Sequence, residues 1–240
     1  MALSPEPRPT TGVWGPYWGA VLPDSWLNEA GQSATGALLD HLLRWHGAGG
    51  EPTPALHRRI VDRIRALQLD DGLALADRLH VLPDFHGNRS PLADPKALGV
   101  IFGLSLDSDF DSLCRLYWRT CVAIALQVRH ILETLNNKGY AIDTLHVTGG
   151  HTHNPLLMEL YADATGCTVI EPITQDATLL GVAMVAATAA GLHPDLRSAA
   201  TAMARGGHKR HPDPAGSPTV RQGLPHPPHA ATPAQRTRCH

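Results

Sequence analysis

Net charge is nearly absent from this 240-residue chain. Twenty Lys and Arg stand against 22 Asp and Glu, a formal −2, which excludes a strongly basic nucleic-acid binder as the default reading. No uninterrupted apolar run approaches the ~18 residues of a membrane span. The opening stretch, Met1 to Thr11, has no apolar core and so does not read as a secretory signal, which makes the cytoplasm the default compartment. No C-x-x-C pair occurs among Cys114, Cys121, Cys167 and Cys239. They read as small buried hydrophobes in a reducing compartment, with Cys114 and Cys121 on one helix face. A short-period internal repeat is also lacking.

Apolar residues make up 43%, enough to bury a core in one large domain or two small ones. The even charge hides an uneven layout. Residues 206–240 hold Lys209, Arg210, Arg221, Arg236 and Arg238 against Asp213, while the preceding residues carry the acidic excess. That tail also holds seven of the 20 prolines and five of the 15 histidines, with no aromatic, isoleucine or methionine. Such a composition cannot bury a core and predicts disorder over 205–240. Residues 1–12, with prolines at 5, 7 and 9, read as a disordered or extended leader.

Between these ends, apolar spacing predicts helices over 32–46, 54–69, from Asp109 or Asp111 to 136, 155–164, 175–190 and 194–204. Strands are expected at 79–82, 99–104, 144–148 and 168–171. Strand–helix alternation from residue 99 onward argues for an α/β architecture. Trp14, Tyr17, Trp18 and Trp26 sit in irregular strand and turn, where they either stack on a ligand or seal a domain edge, sealing being the commoner use.

Chemistry concentrates in Leu145-His-Val-Thr-Gly-Gly-His-Thr-His-Asn-Pro155. A buried strand runs into a double glycine, a short polar loop and a helix capped by Asn154 with Pro155 in its first turn. Glycines let backbone N–H groups approach a ligand, and the helix start adds unpaired donors worth about 0.3–1 kcal/mol per anionic charge. The corner suits phosphate. It can also be read as a tight turn and cap alone. His151 and His153 form a second alternative, a metal pair of a hydrolase, which needs further ligands on later strands.

Eight short motifs come in one order. Val13-Trp-Gly-Pro-Tyr17 with Trp26-Leu-Asn-Glu29 precedes Gly31-Gln-Ser-Ala-Thr-Gly36 and Leu39-Asp-His41. His86-Gly-Asn-Arg-Ser-Pro-Leu-Ala-Asp-Pro95 and Gly99-Val-Ile-Phe-Gly-Leu104 follow. Thr148-Gly-Gly-x-Thr-x-Asn-Pro155 and Leu180-Gly-Val-Ala183 complete the set. Over residues 13–204 this resembles the C-terminal domain of the FGGY family of carbohydrate kinases, in its ribulokinase-like, pentulose-phosphorylating branch. The resemblance implies an α/β lobe of the actin, Hsp70 and sugar-kinase (ribonuclease H-like) fold. That lobe would bind ATP with Mg2+ and serve γ-phosphate transfer to a sugar hydroxyl, with ribulose as the expected kind of sugar. It implies that Gly149 and Gly150 line the adenosine and α-phosphate region, with Asn154 near the base. Gly36 would approach the nucleotide from the other side, with Asp40 one helical turn further on.

The chain departs from the family at His153, where a basic residue is common, and in Leu116-Tyr-Trp-Arg-Thr-Cys121, which lacks the usual acidic residue. The family's N-terminal lobe supplies the first phosphate loop, most sugar contacts and the catalytic aspartate, and its motifs do not occur in these 240 residues. The expectation is therefore a chain that binds adenine nucleotide weakly, if at all, and does not turn over alone. Its expected partners are ATP, a carbohydrate, an N-terminal kinase lobe in cis or trans, and a second copy in a homo-oligomer; neither nucleic acid nor membrane is expected. The rival class is a non-enzymatic binding partner or half of a split kinase. Ser33 and Thr35 are expected to cap a helix, the alternative being a bond to phosphate, and Asp84, Arg89 and Asp94 either to serve the cleft or to hold their own turn.

Overall fold

A computed structural model describes residues 1–174 and 176–214 of the chain. In chain order the elements are β1 (Ala2–Ser4), β2 (Trp14–Trp18), β3 (Trp26–Glu29), α1 (Thr35–Trp45), α2 (Pro54–Asp71), β4 (His80–Leu82) and β5 (Val100–Phe102). Then come α3 (Phe110–Asn136), β6 (Thr144–His146), α4 (Pro155–Thr165), β7 (Thr168–Pro172), α5 (Ala177–Ala189), α6 (Leu196–Met203) and β8 (Gly207–Arg210). The long helix α3 organises the rest. Asp109 starts it by accepting the Ser112 N–H at 2.8 Å, the usual service of an acidic N-cap. Its apolar stripe buries Leu113, Cys114, Tyr117, Cys121 and Ile124 against α1, α2 and α4. Farther along, Ile131 and Leu135 take up Ala2, Val13 and Tyr140. On another side Leu116 and Ala123 meet Leu42, Leu79 and Val81.

Strands form small sheets around this helix. β3 is central to an antiparallel set in the order β1-β3-β2, and β4 pairs with β5 antiparallel. β6 and β7 pair in parallel through the α4 crossover, with Leu145 opposite Val169. A crossover helix is what two parallel neighbours require. Gly166 closes α4 in the left-handed region at φ +74°, a conformation glycine adopts without a Cβ penalty.

A leader expected to be disordered or extended, and the start of a tail expected to be disordered, are both built into the sheets as strands. In the leader, β1 pairs Ala2 with Asn28 and Ser4 with Trp26. Arg8 fastens the residues just after β1, donating from Nε to Ser4 Oγ at 2.9 Å and from a terminal nitrogen to the Lys138 carbonyl at 3.0 Å. In the tail, β8 lies antiparallel on β7, with Lys209 opposite Ile170. Arg210 reaches Glu171 and Glu159, each at 3.2 Å. Backbone pairing at a free sheet edge does not depend on apolar side chains, so composition concealed both strands. The remainder of the expected disordered tail, from residue 215, lies outside the described residues, as does Cys239.

The loop residues expected either at the cleft or in their own turn hold the turn. Buried Asp84 accepts from Asn88 Nδ2 at 3.0 Å and from Gln127 Nε2 at 2.7 Å. Asp94 accepts the Lys96 N–H at 2.8 Å. Arg89 pairs with Glu29 at 2.5 Å and lies over the Trp14 ring. All three secure the loop and its sheet. Trp18 and Trp26 pack on each other at 5.1 Å, while Trp14, Tyr17 and Trp18 stay about half exposed. Helix α5 contains no buried residue among the described ones, and Leu179, Val182 and Val185 face outward. No helix among the described residues is long and apolar enough to cross a membrane.

Candidate functional site

The N-terminal ends of α1, α2 and α4 converge on one cleft of about 960 Å³. Gly36, Asp40, Gly150 and Asn154, four of the residues expected at a site, line it together. Gly149 does not line it but sets up the turn beside it, at φ +80° and ψ −157°, a backbone conformation essentially reserved for glycine. Gly150 to His153 then make one short 3-10 turn that leads into α4.

Each helix end is built differently. Thr53 caps α2 by accepting the Leu56 N–H at 3.1 Å, and Asn154 caps α4 by accepting the Leu156 N–H at 3.1 Å. Both helices begin with proline, whose missing N–H is no loss there. Helix α1 has no side-chain cap. Ser33 and Thr35 do not cap it, contrary to expectation. Ala34 at the N-cap is left-handed, and the Thr35 hydroxyl turns instead to His151 Nε2 at 2.9 Å. The first N–H groups of α1 are thus left for solvent or a ligand.

Gly36 is helical and exposed, and a Cβ built on it meets no atom within 4 Å. The same holds for Gly149 and Gly150. Packing within the chain gives no reason for glycine at 36 or 150, and the bare backbone there leaves open space at the cleft. Arg58, on α2, adds a cationic side chain to the lining, and Asp40 and Asp62 add carboxylates.

His57 and Tyr117 carry no sequence motif, yet they join the expected residues. Asp40 Oδ1 lies 3.1 Å from His57 Nε2, His57 Nδ1 lies 2.9 Å from the Tyr117 hydroxyl, and Asn154 Nδ2 donates to that hydroxyl at 3.2 Å. Tyr117 is fully buried, and burial pushes its pKa far up, so it is a neutral hydroxyl. In sequence it is one residue of an apolar stripe. His57 shows only as a polar residue within α2. The signal that could have found them is their helical phase toward the same side as Asp40.

The two loop histidines do not form a pair. Both ring nitrogens of His151 are engaged, Nε2 with Thr35 and Nδ1 with the Tyr161 hydroxyl at 2.9 Å. Burial lowers its pKa, so it favours the neutral form. His153 is exposed. Among the described residues no group of three or more His, Cys, Asp or Glu is placed to hold a metal ion. Cys114 and Cys121 are buried thiols whose pKa burial raises, that of Cys114 to about 12.

The profile of the FGGY family of carbohydrate kinases, C-terminal domain, matches residues 1–190. An FGGY carbohydrate kinase domain-containing protein of Xenopus laevis is 42% identical over 217 residues, covering 86% of this chain and 39% of that protein. A D-ribulokinase of Saccharomyces cerevisiae is 35% identical over 201 residues, covering 79% of this chain and 28% of that protein. The crystal structure of xylulose kinase from Rhodospirillum rubrum superposes with a TM-score of 0.65 at 28% identity, over 84% of this chain and 38% of that one. The chain therefore spans less than half the length of each relative. Its architecture is that of the sugar kinases, the actin/Hsp70-like fold.

Proposed function

The chain belongs to the FGGY family of carbohydrate kinases, and on that premise we propose that it is the ATP-binding lobe of a kinase that phosphorylates a sugar hydroxyl, with a pentulose such as ribulose as substrate. One observation carries the reading. Three helix N-termini meet at a single cleft, and the glycines there leave room that no protein atom fills. Helix starts supply N–H donors and partial positive charge, which suits the phosphates of a nucleotide. In this reading Gly150 runs along the adenosine and α-phosphate with Gly149 shaping the turn that presents it, Asn154 lies near the base, and Gly36 and Asp40 approach from the α1 side. Magnesium bound with the nucleotide would neutralise phosphate charge. Asp40 and Asp62 are the cleft carboxylates able to add to its shell.

Phosphoryl transfer requires two substrates positioned in line, with developing charge stabilised from both sides. The residues here supply the nucleotide side. We propose that the 240-residue chain binds adenine nucleotide weakly, does not phosphorylate sugar by itself, and acts in the cytoplasm. Titrating the purified chain with ADP, then assaying it with ATP, Mg2+ and ribulose, tests this. Absence of ADP binding overturns the first statement, and ATP-dependent sugar phosphorylation overturns the second.

A second reading is a chain that completes its cleft with another polypeptide, either an N-terminal kinase lobe or a second copy. The outward apolar side chains of α5 and the half-exposed Trp14, Tyr17 and Trp18 favour it, since such surfaces mark contact sites. Co-purification with a kinase N-terminal-lobe polypeptide supports this reading. A monomer by analytical ultracentrifugation that ignores that polypeptide overturns it.

A further inference from the structure

We propose that His57 and Tyr117 are positioning residues that tie Asp40 and Asn154, polar side chains on two different walls of the cleft, into one hydrogen-bonded unit for an adenine nucleotide. The proposal rests on the nucleotide reading above. It comes from four helices each giving one member of an unbroken chain: Asp40 from α1, His57 from α2, Tyr117 from α3 and Asn154 at the start of α4.

The protons along this chain can be assigned from its far end. Asn154 Oδ1 accepts the Leu156 N–H at the helix cap, so the amide cannot flip without setting two donors against each other. Its Nδ2 then faces Tyr117 and donates at 3.2 Å. Tyr117 receives that bond and has its own O–H to give. The partner within reach is His57 Nδ1 at 2.9 Å, which must be the bare nitrogen of the ring. A neutral imidazole with bare Nδ1 carries its proton on Nε2. That proton points at Asp40 Oδ1, 3.1 Å away. Every bond runs in one direction, from amide to hydroxyl to imidazole to carboxylate.

The arrangement is costly to break in its middle. Tyr117 has no exposed surface, so its hydroxyl has no water to replace a lost partner. The ring of His57 also stands edge-on to that of Tyr117, with centroids 5.8 Å apart. The Cys121 thiol packs against the same Asn154 amide and is wholly buried. On its Asp40 and His57 side the unit is open to the cleft. The Asp40 side chain is 40% exposed and the His57 side chain 27%. With Oδ1 committed to His57, Asp40 presents Oδ2 to a ligand in a set orientation instead of sampling rotamers. Asn154 likewise has its amide plane set by Leu156 on one side and Tyr117 on the other. Side chains held this way meet a ligand with less ordering left to do.

The test has two arms on the full 240-residue chain. The first is nitrogen NMR of the imidazoles without ligand, which reads the tautomer directly. His57 is expected as the neutral Nε2–H form, and Tyr117→Phe is expected to move it toward a tautomer mixture. An Nδ1–H or averaged ring in the wild-type chain overturns the proposal. The second arm is ADP titration of the wild type, Tyr117→Phe, His57→Gln and Tyr140→Phe. Tyr140→Phe also loses a buried hydroxyl bond, to Asn28, but neither residue lines the cleft. Tyr117→Phe and His57→Gln are expected to weaken ADP roughly three- to tenfold, as for loss of one buried bond, with Tyr140→Phe unchanged. A merely structural Tyr117 would lower the melting temperature and leave the affinity of the folded chain as it was, and that result overturns the positioning role. Wild-type chain that binds no ADP overturns the nucleotide reading itself, and the imidazole signals then decide the relay separately.

Discussion

Replacing Gly36 by Ala should strengthen the fold and weaken ligand binding. Gly36 is the second residue of α1, it has an ordinary helical backbone, and nothing lies within 4 Å of the Cβ it lacks. Alanine in a helix is favoured over glycine by roughly 0.5–1 kcal/mol, and the lower end applies in a first turn. For a domain of this size about 0.5 kcal/mol is a rise in Tm of about 1–2 °C. The new methyl group enters the cleft where Gly36 lines it. If ADP is present at about 100 times its Kd, it stabilises the wild type by about 2.7 kcal/mol. A tenfold loss of affinity removes about 1.4 kcal/mol of that. The order of the two proteins therefore reverses: the variant is more stable by about 0.5 kcal/mol without ADP and less stable by about 0.9 kcal/mol with it. Urea unfolding with and without ADP measures both differences. A variant less stable without ligand would refute the claim that Gly36 has no packing role. An ADP increment equal to that of the wild type would refute its place at the nucleotide.

Three further outcomes are expected. Asn154→Ala removes the α4 cap and leaves the buried Tyr117 hydroxyl short of a partner, so it should cost about 1–3 kcal/mol in urea unfolding, whereas Asp195→Ala, an exposed cap on α6, should cost about 1 kcal/mol or less. Ile124→Ala, at a position with no exposure in the central helix, should cost about 2–5 kcal/mol. His151 has a pKa lowered by burial in the folded chain, so the unfolded chain binds more protons. Stability should then fall as pH drops below the ordinary histidine value of 6.5, and His151→Gln should flatten that slope in pH-dependent thermal unfolding. His153→Ala, at an exposed position, should leave stability at neutral pH unchanged.

Much of this architecture is legible before any coordinates. α3 announces itself through a long apolar stripe and an aspartate at its start, Asp109 or Asp111, of which the fold uses Asp109. α4 does so through Asn154-Pro155 at one end and Gly166 at the other. These signals are local, and local signals survive tertiary context. The short strands are harder. Gly207-His-Lys-Arg210 has no apolar alternation, because the edge of β7 recruits its backbone and not its side chains. The capping role expected of Ser33 and Thr35 fails for a related reason. A hydroxyl from a distant segment is worth more to His151, which sits 116 residues along the chain from Thr35. In the cleft, the double glycine, Asn154, Gly36 and Asp40 are legible because each sits in a short motif. His57 and Tyr117 are not, since their meaning arises only when α2 and α3 bring them within 2.9 Å.

The strand β8 bears on where this chain can be shortened. Composition places a natural cutting point after Ala204, just before the basic, proline-rich stretch. A cut there would strip β7 of its partner along Val169 to Pro172 and remove the guanidinium that bridges Glu159 and Glu171. The ladder groups of β7 would then face water as an unguarded template for another strand. An expression design aimed at the well-behaved lobe should therefore end beyond Arg210, because the first residues of an apparently dispensable stretch act as a seal against strand-to-strand aggregation.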